Sequence, residues 1–391
     1  MNEGSLPPMA GGRWRRLSIL LPIGAGALAV LFFQDPTRAW AAVLVDGFYL
    51  LGLGLGGAVF IASIYLCDAA WASGLRRVPE ALMAVLPIAG VCLLGVYFGR
   101  GSLYLWSRPA ELAEHPLAPA KAAYFEAPFF LLRMLCFLAC WLLLARLLRR
   151  LSLAQDQGEA LLHHRRLRRA SAVFVPLFAL TFSLASFDWL MSLDPRWYST
   201  IFAIYTFAGI FVQAIAAVTL VLLALDRGGH GPSGFGAEQR HDLGKLLFAF
   251  STFWAYIWLS QYLLIWYGDL PEETVYYLVR TREPWRGLFL LNLGLNWLLP
   301  FLLLLSRRAK RAPSVLALVS ALLLLGHWLD LYLIVLPTVT AGWDWGTMLL
   351  ELLVAVGFAA VAGILIRRAL GGASLVPVND PWLALRQTPP R

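Results

Sequence analysis

Residues 198–225 read YSTIFAIYTFAGIFVQAIAAVTLVLLAL, and no Asp, Glu, Lys, Arg or His interrupts them. A helix needs roughly 20 apolar residues to cross the hydrocarbon core of a bilayer. A helix also pairs its backbone N–H and C=O groups internally, which a segment surrounded by lipid requires. This stretch therefore predicts a membrane-spanning helix.

The composition of the whole chain agrees with that stretch. Of 391 residues, 60% are apolar and 14% are charged, whereas roughly a quarter of the residues of a soluble domain are charged. This balance excludes a water-soluble globular enzyme. The formal net charge of +9 is spread between the apolar runs, so it predicts basic loops at a membrane surface and no binding of nucleic acid.

Ten apolar runs divide the chain, and the connections between them are too short to bury a soluble core. The sequence therefore predicts an all-α polytopic integral membrane protein, with a single domain over 1–391 and short tails at 1–16 and 367–391. The predicted spans are 17–33, 40–66, 80–98, 124–148, 170–192, 198–225, 244–267, 287–305, 314–336 and 345–366.

The distribution of basic residues predicts the orientation of the spans, because loops rich in Lys and Arg stay in the cytoplasm. With both termini cytoplasmic, 23 of the 32 Lys and Arg residues fall on the cytoplasmic side, 8 fall outside, and Arg133 lies within a span. We expect the run at 17–33 to be a retained anchor, since no small-x-small cleavage site follows it.

The four cysteines, Cys67, Cys92, Cys136 and Cys140, form no C-x-x-C and no C-x-x-C-H motif. The sequence thus indicates neither an iron–sulfur cluster nor covalently attached haem. We interpret Cys136 and Cys140, four residues apart on one helix face, as packed thiols. Of six histidines only His327 lies inside a span, so we expect no metal site and no cofactor bound by this chain.

Ionisable side chains inside the spans are the informative residues, because each costs roughly 2.5–3.5 kcal/mol at a helix centre. With about 1.5 Å of rise per residue, five carboxylates lie in the outer part of the membrane, with Arg133 near mid-depth as their counter-ion. The inner half offers only hydroxyls and amides. The pattern predicts a polar half-channel open to the outer face, formed by Asp46, Glu126, Arg133, Asp188, His327, Asp330 and Glu351.

Structural explanations stand beside this functional one for three of the carboxylates. An interfacial position that reaches lipid headgroups also explains Glu126 and Glu351. A hydrogen bond to Tyr49 or to neighbouring backbone also explains Asp46.

Function is favoured for Asp188, His327 and Asp330, because bulky apolar side chains surround them. His327 and Asp330 are three residues apart on one helix face, and we expect them to exchange a proton. Aromatic residues crowd the outer connections, which indicates an interfacial belt, a surface for another protein or a lining for a ring-shaped lipid such as a quinone.

Several stretches in the second half of the chain share one resemblance. They are SFDWLMSLDP at 186–195, WYSTIF at 197–202, FWAYI at 253–257, SQYLLIWYG at 260–268, PFLLLLSR at 300–307 and HWLDLY at 327–332. In this order they resemble the F-type membrane subunit (ActF) of bacterial alternative complex III, a quinol:electron acceptor oxidoreductase. That subunit is related to the polysulfide-reductase membrane subunits (NrfD-like).

The resemblance implies a core of two four-helix bundles with flanking helices. It implies three kinds of partner in the bacterial inner membrane: a second NrfD-like membrane subunit, an outer-face iron–sulfur protein and haem c subunits. The residues that it points to are Asp188, Tyr256, Gln261, His327 and Asp330. The first 170 residues match no stretch of the family, so Asp46, Glu126 and Arg133 rest on their depth in the membrane.

We therefore expect an integral membrane subunit of a respiratory quinol:cytochrome c oxidoreductase that supports assembly and a proton path. Quinone or quinol would bind at the level of the complex, and the isolated chain would catalyse nothing. Two alternatives stay open. One is a secondary transporter with a midplane site around Arg133, His327 and Asp330, although transporters usually have polar routes on both sides. The other is a non-catalytic membrane scaffold.

Overall fold

The structure is a computed structural model that describes residues 12–112, 117–232 and 234–383. Within these ranges the chain is helical, with short turns and no strand. The helices are α1 (Gly12–Gln34), α2 (Pro36–Leu66), α3 (Arg77–Leu82), α4 (Leu86–Val96), α5 (Arg100–Leu103), α6 (Pro119–Tyr124), α7 (Ala127–Gln155), α8 (Ala160–Trp189), α9 (Phe202–Arg227), α10 (Ala237–Gly268), α11 (Pro271–Thr281), α12 (Arg286–Leu293), α13 (Leu299–Leu303), α14 (Arg307–Arg311), α15 (Pro313–Val339) and α16 (Trp345–Gly371).

Ten segments of the described chain are long and apolar enough to cross a membrane, which confirms the predicted all-α polytopic fold. Two of these segments join consecutive helices: α3 with α4, and α12 with α13 through a π-helical turn, Gly294–Leu298. The largest difference from the predicted ends is in the fifth span, which starts at residue 160 and not at 170. Hydropathy detects only the apolar part of a helix, and the first turns of α8 carry arginines that continue the helix beyond it.

Successive spans alternate in direction, so the connections gather at two ends. We call these the α11 end and the α14 end, after the short helix at each. At the α11 end, the indole N–H of Trp343 donates to the carbonyl oxygen of Pro284 at 2.8 Å. At the α14 end, the side chain of Arg240 donates to the carbonyl oxygen of Arg311 at 3.2 Å.

The spans pack as two four-helix bundles, as the resemblance implied. In the first bundle α2, α3–α4, α7 and α8 follow one another in a ring; in the second, α9, α10, α12–α13 and α15 do so. The flanking helices α1 and α16 pack along each other and against α2. Helix α2 is the common element, because it contacts α9 and α15 of the second bundle as well as its own neighbours.

Glycines bring α2 and α9 together. A Cβ atom added to Gly56 would lie 2.5 Å from the Cβ of Ala214 and 2.8 Å from the carbonyl oxygen of Ile210. A Cβ added to Gly52 would lie 2.7 Å from Oε1 of Gln213. The backbones of the two helices are therefore as close as small residues allow, which is the way membrane helices gain packing energy.

The predicted tails at 1–16 and 367–391 are described only in part, because residues 1–11 and 384–391 lie outside the described residues. The described part of α1 is Gly12–Gln34, whose apolar segment starts at Leu17, and α16 continues to Gly371. The segment after α16 then turns back to the α14 end of the first bundle, where Asp380 is buried.

The contact at Gly56 yields a stability prediction. Gly56→Ala forces α2 away from α9, and overpacking of this kind costs about 1–3 kcal/mol, so we expect a lower midpoint of thermal unfolding in detergent. Gly26→Ala in α1 is the matched control, because a Cβ there meets nothing within 4 Å, and alanine favours a helix. Equal midpoints for the two variants would contradict the close contact.

Candidate functional site

The side chain of Asp330, on α15 in the second bundle, receives hydrogen bonds from three other helices. The hydroxyl of Tyr205 on α9 and the amide of Asn292 on α12, at 2.9 Å, both donate to Oδ1. The indole N–H of Trp254 on α10 donates to Oδ2 at 3.3 Å. Asp330 is 3% exposed, and its hydrogen bonds link α15 to the other three helices of the bundle.

His327 lies one turn before Asp330 and is also buried, but among the described residues neither of its ring nitrogens has a hydrogen-bond partner. Its Nδ1 is 3.9 Å from Oδ2 of Asp330, which is too long for a hydrogen bond. The expected direct proton exchange between the two residues therefore does not fit this geometry. Gly209 leaves the space for the ring, since a Cβ there would lie 2.3 Å from Cε1 of His327.

Polar groups continue from Asp330 toward the α14 end. Asn296, in the π-helical turn, donates to Oδ1 of Asn292 at 2.6 Å. Its own Oδ1 is buried without a partner and lies close to Gly326 of α15, whose added Cβ would approach it to 2.8 Å. π-Helical turns inside α-helices are frequent at functional sites, and this one places a second amide below Asp330.

A surface cleft of about 680 Å³ opens at the α11 end, between the turn after α8, helix α11 and the end of α15. Its volume is within the range of small-molecule sites, and its walls are mostly apolar. Its polar lining residues are Asp194, Arg196, Glu272, Arg280 and Thr338.

Asp194 at the rim of the cleft is held by Arg196. The Arg196 guanidinium donates to both carboxylate oxygens at 2.9 Å, and its backbone N–H donates to Oδ1 at 3.0 Å. Burial alone raises the pKa of Asp194, but these hydrogen bonds and the charge of Arg196 outweigh it, so the pKa lies below its usual value. The rim is therefore a neutral ion pair at physiological pH.

A much smaller cavity of about 10 Å³ lies beneath the cleft and reaches Asp330. That volume is about one water molecule. Arg280, Tyr276 and Ile334 line both spaces. Gln261 lines the small cavity, and its buried Nε2 has no partner, so it joins the Asp330 site as the resemblance implied.

The residues that sequence reasoning missed here are the neutral donors and Arg280. Trp254 lies seven residues, two helical turns, before Gln261 and so on the same face of α10, which is a signal that helical periodicity offers. Tyr256 is on another face, where its side chain is 65% exposed, and the structure does not bring it to the other predicted site residues. The sequence indicates Arg280 only as one of the basic residues in the connections between spans.

Arg133 and Asp188 form a separate ion pair inside the first bundle. Nε of Arg133 lies 2.7 Å from Oδ2 of Asp188, and Nη2 lies 3.3 Å from Oδ1. Nη1 donates to the carbonyl oxygen of Tyr124 at 2.7 Å, and the guanidinium lies over the Tyr124 ring at 3.8 Å. Arg133 is thus the counter-ion of Asp188 alone, and the prediction that it serves the whole group of carboxylates is wrong.

Glu351 and Asp46 are both bound by side chains of their neighbours. Nη1 of Arg38 lies 3.0 Å from Oε1 of Glu351, and the hydroxyl of Tyr332 donates to Oε2 at 2.6 Å. The indole N–H of Trp328 donates to Oδ1 of Asp46 at 2.8 Å. These contacts replace the expected headgroup contact of Glu351 and the expected bond from Asp46 to Tyr49.

Glu126 does not belong to the fourth span, as predicted, but to the connection before α7. It is exposed, and within the described ranges it has no hydrogen bond or ion pair from its side chain. Pro128 restricts the residue before it and helps to begin α7 only at Ala127. The polar residues of the spans therefore lie in separate groups and not in one continuous half-channel.

The prediction that one half of the spans offers only hydroxyls and amides is also wrong, because a charged network is buried at the α14 end of the first bundle. Arg76 lies 2.5 Å from Asp380 and 3.7 Å from Glu80. Arg77 lies 2.7 Å from Glu80 and also pairs with Asp156. The carboxylates come from helix ends and from the segment after α16, which hydropathy does not bring together.

The fold and these buried polar groups define an all-α polytopic membrane protein. Comparison of the chain with protein-family models gives no match, and comparison with curated proteins gives none either. Among the described residues, no group of three or more His, Cys, Asp and Glu side chains is arranged to hold a metal ion. The Asp330 site is therefore the main structural indication of function.

The Arg133–Asp188 pair yields a second stability prediction. Removing one partner of a buried pair costs about 3–5 kcal/mol, because the remaining charge has no counter-ion. We therefore expect Arg133→Gln and Asp188→Asn each to lower the unfolding midpoint strongly, and the apolar double variant Arg133→Met/Asp188→Leu to recover most of the loss.

The control for this experiment is Glu111→Gln, which removes an exposed pair with Arg108 and should change stability by less than about 1 kcal/mol. Additive losses in the double variant would show that the two side chains do not depend on each other.

Proposed function

We propose that this chain is an integral membrane subunit of a bacterial respiratory quinol:electron acceptor oxidoreductase, and that its second bundle provides a proton path through Asp330. The observation that carries the proposal is the position of Asp330. A carboxylate buried among apolar helices lines a cavity with room for about one water, and this cavity shares the side chains of its wall with a surface cleft.

The chemistry of the Asp330 site suits a proton carrier. Three neutral donors stabilise the carboxylate in its ionised form, and a proton on either oxygen would displace only one of them. Unpartnered polar atoms of His327, Gln261 and Asn296 lie around it. Such atoms in a buried site are the usual partners of bound water, and water beside a carboxylate forms a route for protons.

The stretches that carry the resemblance support the same assignment. Residues 190–202 line the cleft, Trp254 and Gln261 come from the stretches at 253–268, and Asp330 comes from the stretch at 327–332. Segments far apart in the chain thus meet around one site.

The distribution of basic residues indicates which end of the protein faces the cytoplasm. Basic residues are concentrated at the α14 end, for example in α14 itself with Arg307, Arg308, Lys310 and Arg311. By the positive-inside rule, we place this end in the cytoplasm and the cleft at the outer face of the bacterial inner membrane. The proposed partners are a second NrfD-like membrane subunit and, at the outer face, an iron–sulfur protein and haem c subunits; quinone or quinol binds within that assembly.

The transporter alternative loses its main support in this geometry. Its midplane site needed Arg133 together with His327 and Asp330, but Arg133 is bound to Asp188 in the other bundle. The scaffold alternative remains a defined outcome of the experiments below.

Co-purification tests the proposed assembly. A tagged chain extracted from its own host in mild detergent should bring with it an iron–sulfur protein, haem c subunits and a second polytopic protein, with a reduced-minus-oxidised haem spectrum. Recovery of the chain without haem, from membranes in which cross-linking before extraction also captures no haem protein, would contradict the proposal.

Asp330→Asn tests the proton path in the same complex reconstituted in liposomes. The amide oxygen can still accept from Tyr205 and Asn292, whereas the NH2 group loses the bond from Trp254. The amide cannot carry a proton, so we expect quinol-driven proton movement to fall by roughly tenfold or more, with the subunit composition unchanged. External pH during turnover measures this.

Tyr256→Phe is the matched control, since the Tyr256 side chain is exposed and away from the site, and it should behave as the unaltered complex does. Loss of the partner subunits in Asp330→Asn would support the scaffold. Full proton movement in an intact Asp330→Asn complex would contradict the path.

A further inference from the structure

Arg280, on α11, lies in the wall between the cleft and the small cavity below it. Tyr276 and Ile334 also line both spaces. The side chain is 4% exposed, so its guanidinium stands between the outer water of the cleft and the Asp330 site.

The end of α15 is built to hold this guanidinium. Proline at position 337 has no N–H group and cannot bond the carbonyl oxygen four residues earlier, which is that of Leu333. Nε of Arg280 donates to this freed oxygen at 2.8 Å. Nη2 donates to the carbonyl oxygen of Ile334 and to the hydroxyl of Thr338, each at 2.8 Å.

The remaining contacts of Arg280 fix its orientation. Nη1 donates to the carbonyl oxygen of Tyr276 at 2.7 Å, and the guanidinium lies 3.5 Å from the centre of the Tyr276 ring. Trp197 stacks on that ring at 4.1 Å. The guanidinium is therefore held between the last turns of α15 and the stacked rings of Tyr276 and Trp197.

These partners are all neutral, which distinguishes Arg280 from the other arginines buried near the α11 end. Arg38 and Arg133 each pair with a carboxylate, whereas within the described part of the chain no carboxylate pairs with Arg280. Asp194 on the cleft side is already bound by Arg196, and Asp330 on the inner side is bound by neutral donors. No opposite charge pairs with the guanidinium in this part of the structure, so its positive charge acts on an ion that moves between the cleft and the small cavity.

We propose that Arg280 is a fixed electrostatic barrier that stops protons from passing freely between the cleft and Asp330; this rests on the proposed function, in which Asp330 carries protons. An excess proton in the passage is repelled by the guanidinium, because charges interact strongly where little water screens them. Arginine itself stays protonated in proteins, so it does not relay the proton. The barrier keeps the Asp330 site from leaking protons to the outer water when no reaction drives them.

Passive proton permeability tests the barrier without any need for quinol turnover. The full chain is reconstituted in liposomes that contain a pH-sensitive dye, and a potassium gradient with valinomycin supplies the driving force. We expect a low rate for the unaltered chain, a rate increased roughly tenfold for Arg280→Gln, and a low rate for Arg280→Lys, which keeps the charge. Arg282→Gln is the matched control, because Arg282 is an exposed neighbour on the same connection, and it should leave the rate unchanged.

The double variant Arg280→Gln/Asp330→Asn separates this inference from the proposed function. If the leak passes through Asp330, the double variant returns to the low rate. A leak that persists in the double variant would overturn the path through Asp330 and still support Arg280 as the barrier. A low rate in Arg280→Gln would overturn the barrier and leave the Asp330→Asn test of the path untouched.

A further variant keeps the inference testable if Arg280→Gln does not fold, as judged by size-exclusion profile and unfolding midpoint. Thr338→Val has nearly the same shape and removes one acceptor of the guanidinium, so we expect an intermediate rate. Arg280→Lys also separates charge from packing. An unchanged rate in folded Thr338→Val, or a fast leak in Arg280→Lys, would contradict a barrier that depends on a positioned charge.

Discussion

Lipid offers no hydrogen bonds, and this constraint governs how the charged side chains inside the membrane spans are arranged. A buried ionised group must find its partners within the protein. Asp330 takes three donors from three helices, and Arg133 and Asp188 take each other. Because each partner comes from a different helix, satisfying these groups also fixes which helices are neighbours. The hydrophobic spans place the protein in the membrane, and the polar contacts determine which helices pack against each other.

The two bundles use this constraint differently. In the first bundle the buried charges pair with opposite charges: Asp188 has its arginine, and Arg76, Arg77 and Glu80 form a network at the α14 end. In the second bundle His327 and Asn296 remain without full sets of partners. The first bundle thus balances its buried charges with opposite charges, whereas the second holds a buried carboxylate among neutral donors.

Much of the fold could be predicted from the sequence, because crossing a bilayer requires a length of apolar chain that is easy to see. The number of spans and the presence of ionisable residues inside five of them could be read from the sequence. The position of a residue along a helix, however, gives its depth in the membrane and does not tell which neighbouring helix its side chain faces. Arg133 and Asp330 were expected in one site for that reason, although they lie in different bundles. The partners of Asp330 were missed because Trp254 and Asn292 are uncharged, and Arg280 was missed because its neutral partners leave no pattern in the sequence.

The segment that follows α16 has a consequence for how the protein is made. Asp380 is the closest charged partner of Arg76, at 2.5 Å, although 304 positions separate them along the chain. The ribosome therefore releases Arg76 into the membrane system long before Asp380 exists. A chain that stops short of Asp380 leaves Arg76 with only the more distant carboxylates of Glu80 and Asp156. The charge network of the first bundle is therefore complete only after residue 380 has been made, when all ten spans have already been synthesised.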